Sequence, residues 1–300
     1  MDDLVVVAMA GFAAAFVDGA LGMGFGPTSS SILLSSGLSP ASVSATVNIA
    51  KVATGVVAGV SHWTFGNIDR RLVARLAIPG ALGAVIGTWI LKNVDGDQLR
   101  PILAGLLFVV GLRILIRFRR PIDYDGPDSS SVNAPGRVRG VEVAGVAGGT
   151  TNGLIGAWGP VVTPFLLHRQ VLPRIVVGSV NTAEIAVATV AAVSLLTSSP
   201  QGLEPSTVIA MLVGGVLAAP IAAWTVRFVP ARLLGVLVAG LLLLTNFREL
   251  ATWADLGVIR WVGYAAITGA IVLAADPRVP WRAERGAPPE HGDVRTSAGS

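Results

Sequence analysis

Long apolar runs alternate with short polar segments along this chain, and most runs have the length of a membrane-spanning helix. As an α-helix, about 20 apolar residues cross the hydrocarbon core of a bilayer. Runs of that length lie at 41–61, 72–92, 99–118, 174–197, 206–226, 232–251 and 257–275. This pattern predicts seven transmembrane helices.

Two further apolar stretches, 4–36 and 140–167, have a different pattern. Each is too long for one crossing and too short for two. Glycines and a Gly-Pro pair, Gly26-Pro27 or Gly159-Pro160, interrupt each stretch. A backbone break inside a membrane is tolerated where protein, water or a ligand satisfies the freed polar groups. We therefore predict two hairpins of broken helices with their tips inside the membrane.

The two hairpins belong to an internal duplication. The segment from Asp18 to Pro27, DGALGMGFGP, returns imperfectly as NGLIGAWGP from Asn152 to Pro160. Further pairs in the same register are Pro40 with Pro173, Asn48 with Asn181, Trp89 with Trp224, and Arg113 with Arg248. Duplicated apolar segments interrupted by glycine are typical of secondary transporters. The predicted fold is an all-α integral membrane protein with two inverted repeats. Each repeat is a re-entrant hairpin plus three transmembrane helices, and one extra C-terminal helix follows.

Arginines orient these elements, because short cytoplasmic loops are enriched in Lys and Arg. The arginines around the centre of the chain are Arg113, Arg117, Arg119, Arg120, Arg137 and Arg139. With that centre inside, alternation also places inside the turns at 70–71 and 227–232 and the C-terminal tail, which all contain arginine. We expect a multi-pass protein of the cell membrane with its N-terminus outside, its C-terminus in the cytoplasm, and two oppositely oriented halves.

The same pattern predicts the domain boundaries. The first membrane repeat spans 1–120, the cytoplasmic linker 121–136, the second repeat 137–252, the extra helix 253–275 and a disordered cytoplasmic tail 276–300. The linker is rich in Pro, Asp, Ser and Gly, and the tail is polar with little to pack.

Composition agrees with a bilayer protein and excludes several kinds of chemistry. The chain is 52% hydrophobic and only 13% charged, which is more apolar surface than one soluble core of this length hides. The net charge of +4 does not predict nucleic-acid binding, because the arginines lie between apolar runs. Without cysteine there is no thiolate or iron–sulfur chemistry, and three scattered histidines lack the spacing of a metal site. No phosphate-binding loop is present. We expect no cofactor and no metal.

Each hairpin break is followed by a new helix that would begin near the membrane centre. Its free N–H groups and the positive end of its dipole would point at the break. Two such ends, entering from opposite sides, would converge on one volume that prefers an anion. Alternatively, the glycines serve only close helix packing; their repetition at equivalent places favours the functional interpretation.

Asn48 and Asn181 occupy equivalent positions deep in their helices, about 12 Å beyond Pro40 and Pro173. A primary amide can donate to an oxyanion or tie one helix to a hairpin carbonyl, and the sequence leaves both roles open. The candidate substrate-binding residues are Gly24, Gly26, Pro27, Thr28, Ser29, Asn48, Trp158, Gly159, Thr163 and Asn181.

Ionisable residues inside apolar runs are candidates for coupling or gating. Asp18 precedes the first break where the second half has Asn152, and it would either take part in proton coupling or hold the broken backbone. Lys51 and Glu184 each lie three residues after the matching asparagine. They would form a buried ion pair across the two halves, which we favour, or Lys51 would neutralise the substrate directly.

Together these motifs resemble one family. The first hairpin ending in Gly26-Pro27, the segment Thr46-Val47-Asn48, the turn HWTFGNID at 62–69 and the hairpin at 152–160 are similar to the TauE/SafE sulfite exporter family. The resemblance covers about residues 4–275. It implies movement of small sulfur-containing anions, such as sulfite and organosulfonates, across the cytoplasmic membrane.

The sequence therefore predicts a secondary transporter, not an enzyme, that moves such an anion by alternating access. Its partners would be a small anionic substrate and the lipid bilayer, without nucleic acid, and a homodimer is compatible with the pattern. The alternatives are a membrane-embedded enzyme, for which the apolar runs supply no histidine near their serines, and a non-transporting assembly subunit.

Overall fold

The structure is a computed structural model that describes residues 2–21, 24–119, 138–169, 171–197, 205–225 and 231–276. The predicted linker 121–136, most of the predicted tail, the loop 198–204 and the turn around Arg227 lie outside these residues. No strand occurs in the described ranges, and the prediction of an all-α protein is confirmed.

Eleven α-helices account for nearly all of the described chain. They are α1 (Asp2–Leu21), α2 (Phe25–Ser35), α3 (Pro40–Thr64), α4 (Arg70–Asn93), α5 (Gly96–Arg119), α6 (Val141–Ile155), α7 (Gly159–His168), α8 (Pro173–Leu196), α9 (Pro205–Thr225), α10 (Ala231–Trp253) and α11 (Arg260–Ala275). A short 3-10 turn, Gly257–Ile259, precedes α11.

Six described helices are long and apolar enough to cross a membrane: Pro40–Thr64, Arg70–Asn93, Gly96–Arg117, Arg174–Leu196, Gly235–Trp253 and Gly257–Ala275. They coincide with six of the seven predicted crossings. The seventh, 206–226, coincides with α9, of which Pro205–Ala218 counts among the shorter apolar helices. Large exposed apolar side chains, such as Val60, Trp89 and Val262, face outward as they would toward lipid.

Both predicted hairpins are broken at their glycines. Gly24 between α1 and α2 has φ 143°, and Gly156 between α6 and α7 has φ 68°, values that only glycine adopts readily. The second hairpin folds back on itself. The start of α6, at Gly140, lies against the ring of Phe165 near the end of α7. One detail differs from expectation: α1 has 20 residues, so it is about 30 Å long and is not a half-helix.

The helices of the two halves pack against each other in exchanged pairs. The first arm of each hairpin lies on the fourth helical segment of the other half, so that α1 packs against α9 and α6 against α4. Equivalent glycines make these contacts: Gly11 lies on the Met211 backbone, and Gly145 lies on the Leu76 backbone. Helices α3 and α8 pack together, as do α5 and α10. This exchange brings the two hairpin tips together at the centre of the protein.

Candidate functional site

The two helix breaks meet at a polar cavity. A β-carbon added at Gly26 would lie closer than 3.0 Å to the carbonyl group of Gly156, so the two backbones are in direct contact. Beside this contact is a cavity of about 70 Å³, which is room for several waters or one small anion. Its lining residues are Asp18, Gly24, Phe25, Gly26, Pro27, Lys51, Thr54, Gly55, Ala58, Gly156, Gly159, Pro160, Asn181 and Glu184.

Polar side chains from the first half donate hydrogen bonds to the carbonyl groups around the second break. The hydroxyl of Ser44 donates to the Gly153 carbonyl oxygen at 2.6 Å, and the hydroxyl of Ser30 donates to that of Ile155 at 2.8 Å. The amide of Asn48 donates to the Asn152 carbonyl oxygen at 3.2 Å, and the Lys51 ammonium donates to that of Gly156. These bonds explain how the chain tolerates a break surrounded by apolar helices.

Lys51 joins the two halves of the protein at the cavity. Its ammonium group contacts the carboxylate of Glu184 on α8 and the Asn152 side-chain oxygen, the latter at 3.1 Å. The bond to the Gly156 carbonyl oxygen occupies the third ammonium proton. Lys51 is 7% exposed and Glu184 is 19% exposed. The geometry is that of a nearly buried ion pair between α3 and α8, with Lys51 already supplied with three acceptors.

Asn48 and Asn181, the two asparagines proposed to bind the anion, have different surroundings. Asn48 and Asn152 are fully buried and bond to each other, with the Asn152 amide donating to the Asn48 side-chain oxygen at 2.6 Å. The Asn48 amide donates to the Ser44 and Asn152 carbonyl oxygens. Its donors are therefore committed to protein, which corresponds to the structural role left open by the sequence. Asn181, in contrast, lines the cavity.

Asp18 lies at the first break, close to the start of α2. Its carboxylate accepts a hydrogen bond from the Phe25 N–H at 3.4 Å. In the same turn Pro27 has no N–H, and the Thr28 N–H already bonds to the Gly24 carbonyl oxygen at 3.0 Å. Gly26, the second residue of α2, lines the cavity.

Several candidates from the sequence are buried beside the cavity and do not line it. The Thr28 hydroxyl is buried without a hydrogen-bond partner, and the Ser29 hydroxyl bonds back to the Phe25 carbonyl oxygen at 2.6 Å. Thr163 is also buried and is not among the lining residues. The Trp158 indole N–H donates to the Val180 carbonyl oxygen at 3.1 Å. Its ring packs in the apolar core with Val162 and Val187, where it forms no wall of the cavity.

One face of α3 contributes residues that the sequence interpretation missed. Thr54, Gly55 and Ala58 line the cavity together with Lys51. The signal was available, because these residues follow Lys51 at intervals of three, four and seven and so share its helix face. In the part of the chain that the structure describes, no group of three or more His, Asp or Glu side chains could hold a metal ion.

A bundle of apolar helices around a polar cavity between two broken hairpins defines a multi-pass membrane protein of the transporter class. The model of the family described as sulfite exporter TauE/SafE matches residues 7–248. The chain therefore belongs to the TauE/SafE family, as its motifs predicted, and it is a membrane transporter, not an enzyme.

Similarity extends over most of the length of a known relative. The chain is 40% identical over 281 residues to the probable membrane transporter protein YtnM of Bacillus subtilis (strain 168), covering 92% of each chain. No solved structure matches the chain.

Proposed function

We propose that this protein is a secondary transporter that moves a small sulfur-containing anion, of the sulfite or organosulfonate type, across the cytoplasmic membrane. The observation that carries the proposal is the meeting of two helix breaks at one cavity. Both α2 and α7 begin at residues that line it, Phe25 and Gly159. Two helix N-termini aimed at one small volume stabilise negative charge there.

The anion would be held chiefly by neutral donors. The Gly26 and Gly159 amides lie in the first turns of α2 and α7, and Asn181 offers a side-chain amide on α8. Gly24 and Pro27 shape the first break around the same volume. A cavity of about 70 Å³ favours a compact oxyanion over a bulky one. The relation to sulfite rests on the family description.

Alternating access follows from the duplicated architecture. Three crossings, α3 to α5, separate two re-entrant hairpins, so the second hairpin would enter from the opposite face of the membrane. Helices α3 and α8 pack together and carry Lys51 and Glu184, one from each half. Rocking of the halves about this ion pair would open the cavity to one side and then to the other.

Counterflow in proteoliposomes tests the proposal. Vesicles preloaded with unlabelled sulfite should take up labelled sulfite transiently, and protein-free vesicles should not. Sulfate, an alkanesulfonate and acetate are then added to the external medium. Their inhibition of sulfite uptake shows how the site selects anions by size and charge. Absence of sulfite counterflow, with the purified protein folded and oriented in the vesicles, would refute the proposed function.

The proposed topology gives a separate prediction. A reporter fused to the N-terminus should be accessible from outside the cell, and one fused to the C-terminus should be active only in the cytoplasm, because the arginine-rich turns set the orientation. Both fusions are compared in the same strain, and a third fusion at the start of α4, near Arg70, tests another position predicted to be cytoplasmic. Reporters on the same side at both ends would contradict the predicted count of hairpins.

A further inference from the structure

We infer that each anion crosses together with one proton and that Asp18 is the group that carries the proton. The inference rests on the proposed function and assigns its coupling ion. The charges of the cavity differ from those of a simple anion site.

The cavity holds more negative than positive side chains. Its ionisable lining residues are Asp18, Glu184 and Lys51. With all three ionised the site has one excess negative charge before any substrate enters. A monovalent anion would raise that excess to two in a volume of low dielectric, where like charges repel strongly. A proton bound with the anion restores the original charge, and this makes the two binding events interdependent.

The internal duplication places the two carboxylates together. Asn152 is equivalent to Asp18, and Lys51 is equivalent to Glu184. Between the two halves, the Lys51 ammonium lies 3.1 Å from the Asn152 side-chain oxygen. The equivalent pair across the same interface is Glu184 and Asp18, which line one cavity. Two carboxylates that share a site bind a first proton more readily than an isolated carboxylate does.

The charged groups that face Asp18 are Glu184 and Lys51. Of the helices packed against α1, α2 and α9 contain no ionisable residue, and α10 carries Arg232, Arg248 and Glu249 near its two ends. These helices therefore offer no cation at the first break that would balance the charge of the anion in place of the proton.

Asp18 is the better proton site of the two carboxylates. The Glu184 carboxylate contacts the Lys51 ammonium and is already paired with a cation. The hydrogen bond of Asp18 comes from the neutral Phe25 N–H. When the anion enters, the Asp18 carboxylate accepts one proton from the water on that side. When the anion leaves on the opposite side, Asp18 returns the proton to water there, and no other bond is made or broken.

Two arms of one proteoliposome experiment test this step. The first is sulfite counterflow at equal pH on both sides, which reports transport itself. The second is net sulfite accumulation driven by a pH difference, with the membrane potential clamped by valinomycin and potassium. Per pH unit, the wild type should accumulate up to tenfold more sulfite on the alkaline side than Asp18→Asn. Asp18→Asn keeps a side-chain oxygen that can accept the hydrogen bond of the Phe25 N–H. Sulfite accumulation by this variant also measures the contribution of protons carried by sulfite itself.

The outcomes separate the two proposals. Equal pH-driven accumulation by the wild type and Asp18→Asn, with counterflow present in both, overturns the inference and leaves transport intact. Absence of counterflow in the wild type overturns the proposed function and the inference with it. If Asp18→Asn alone loses counterflow, the pH profiles of the wild type and Asp18→Glu decide. A shifted midpoint in Asp18→Glu supports proton binding at this position, and coincident profiles overturn it.

Discussion

Replacement of Gly26 with alanine should reduce sulfite counterflow to the level of protein-free vesicles. The added methyl group would lie well within 3.0 Å of the Gly156 carbonyl group, a separation that real β-carbons do not adopt. The neighbour is backbone held by the Lys51 ammonium, so it cannot rotate away as a flexible side chain would. The two breaks must separate, and the amide of residue 26 moves with them. Overpacking of this kind costs about 1–3 kcal/mol.

Gly105→Ala is the matched control for this substitution. Gly105 lies inside α5, and a β-carbon at that position would meet no atom within 4 Å. The same chemical change should leave counterflow near the wild-type rate. Thermal unfolding in detergent checks that Gly26→Ala remains folded. Wild-type counterflow in a folded Gly26→Ala protein would show that contact between the two breaks is not needed for transport.

Replacement of Lys51 with methionine should cause the largest loss of stability among single changes at the site. It leaves the largely buried Glu184 carboxylate without its cation and removes the donor from the Asn152 side-chain oxygen and the Gly156 carbonyl oxygen. Breaking such a pair by removing one partner costs about 3–5 kcal/mol. The midpoint of thermal unfolding in detergent should fall accordingly, and sulfite counterflow should be lost.

A second substitution distinguishes the ion pair from other roles of Lys51. Lys51→Met/Glu184→Gln removes the Glu184 charge that Lys51→Met leaves without its cation, so this double variant should unfold at a higher temperature than Lys51→Met while remaining inactive. Lys92→Met is the control, because Lys92 is the exposed lysine at the end of α4, and it should unfold close to the wild type. A double variant no more stable than Lys51→Met would show that the charge of Glu184 is not the source of the loss.

Local patterns were sufficient to predict the helices and the positions of their breaks. The six long apolar helices agree with predicted runs because the length and hydropathy of a span are properties of contiguous residues. The breaks at Gly24 and Gly156 could be located for the same reason, since glycine supplies positive φ within an apolar stretch. The family was likewise recognisable from several short motifs taken together.

The roles of individual side chains depended on partners far along the chain. Asn48 was a candidate anion donor by depth and residue type, but its amide bonds to the Asn152 carbonyl oxygen, 104 residues away. Trp158 lies at the second break, but its ring packs in the core and its indole N–H donates to the Val180 carbonyl oxygen. No local pattern contains these partners, because they are set by the packing of one half of the protein on the other.

The sequence by itself determined that this protein is a bundle of membrane helices with a glycine break in each half, since hydropathy and backbone freedom are local properties. Only the tertiary structure decided that the breaks touch, that Lys51 lies between Glu184 and the second break, and that Asp18 shares their cavity. The physical reason is that a hydrogen bond or an ion pair forms between surfaces brought together by folding. The distance between two residues along the chain carries little information about whether such a bond forms.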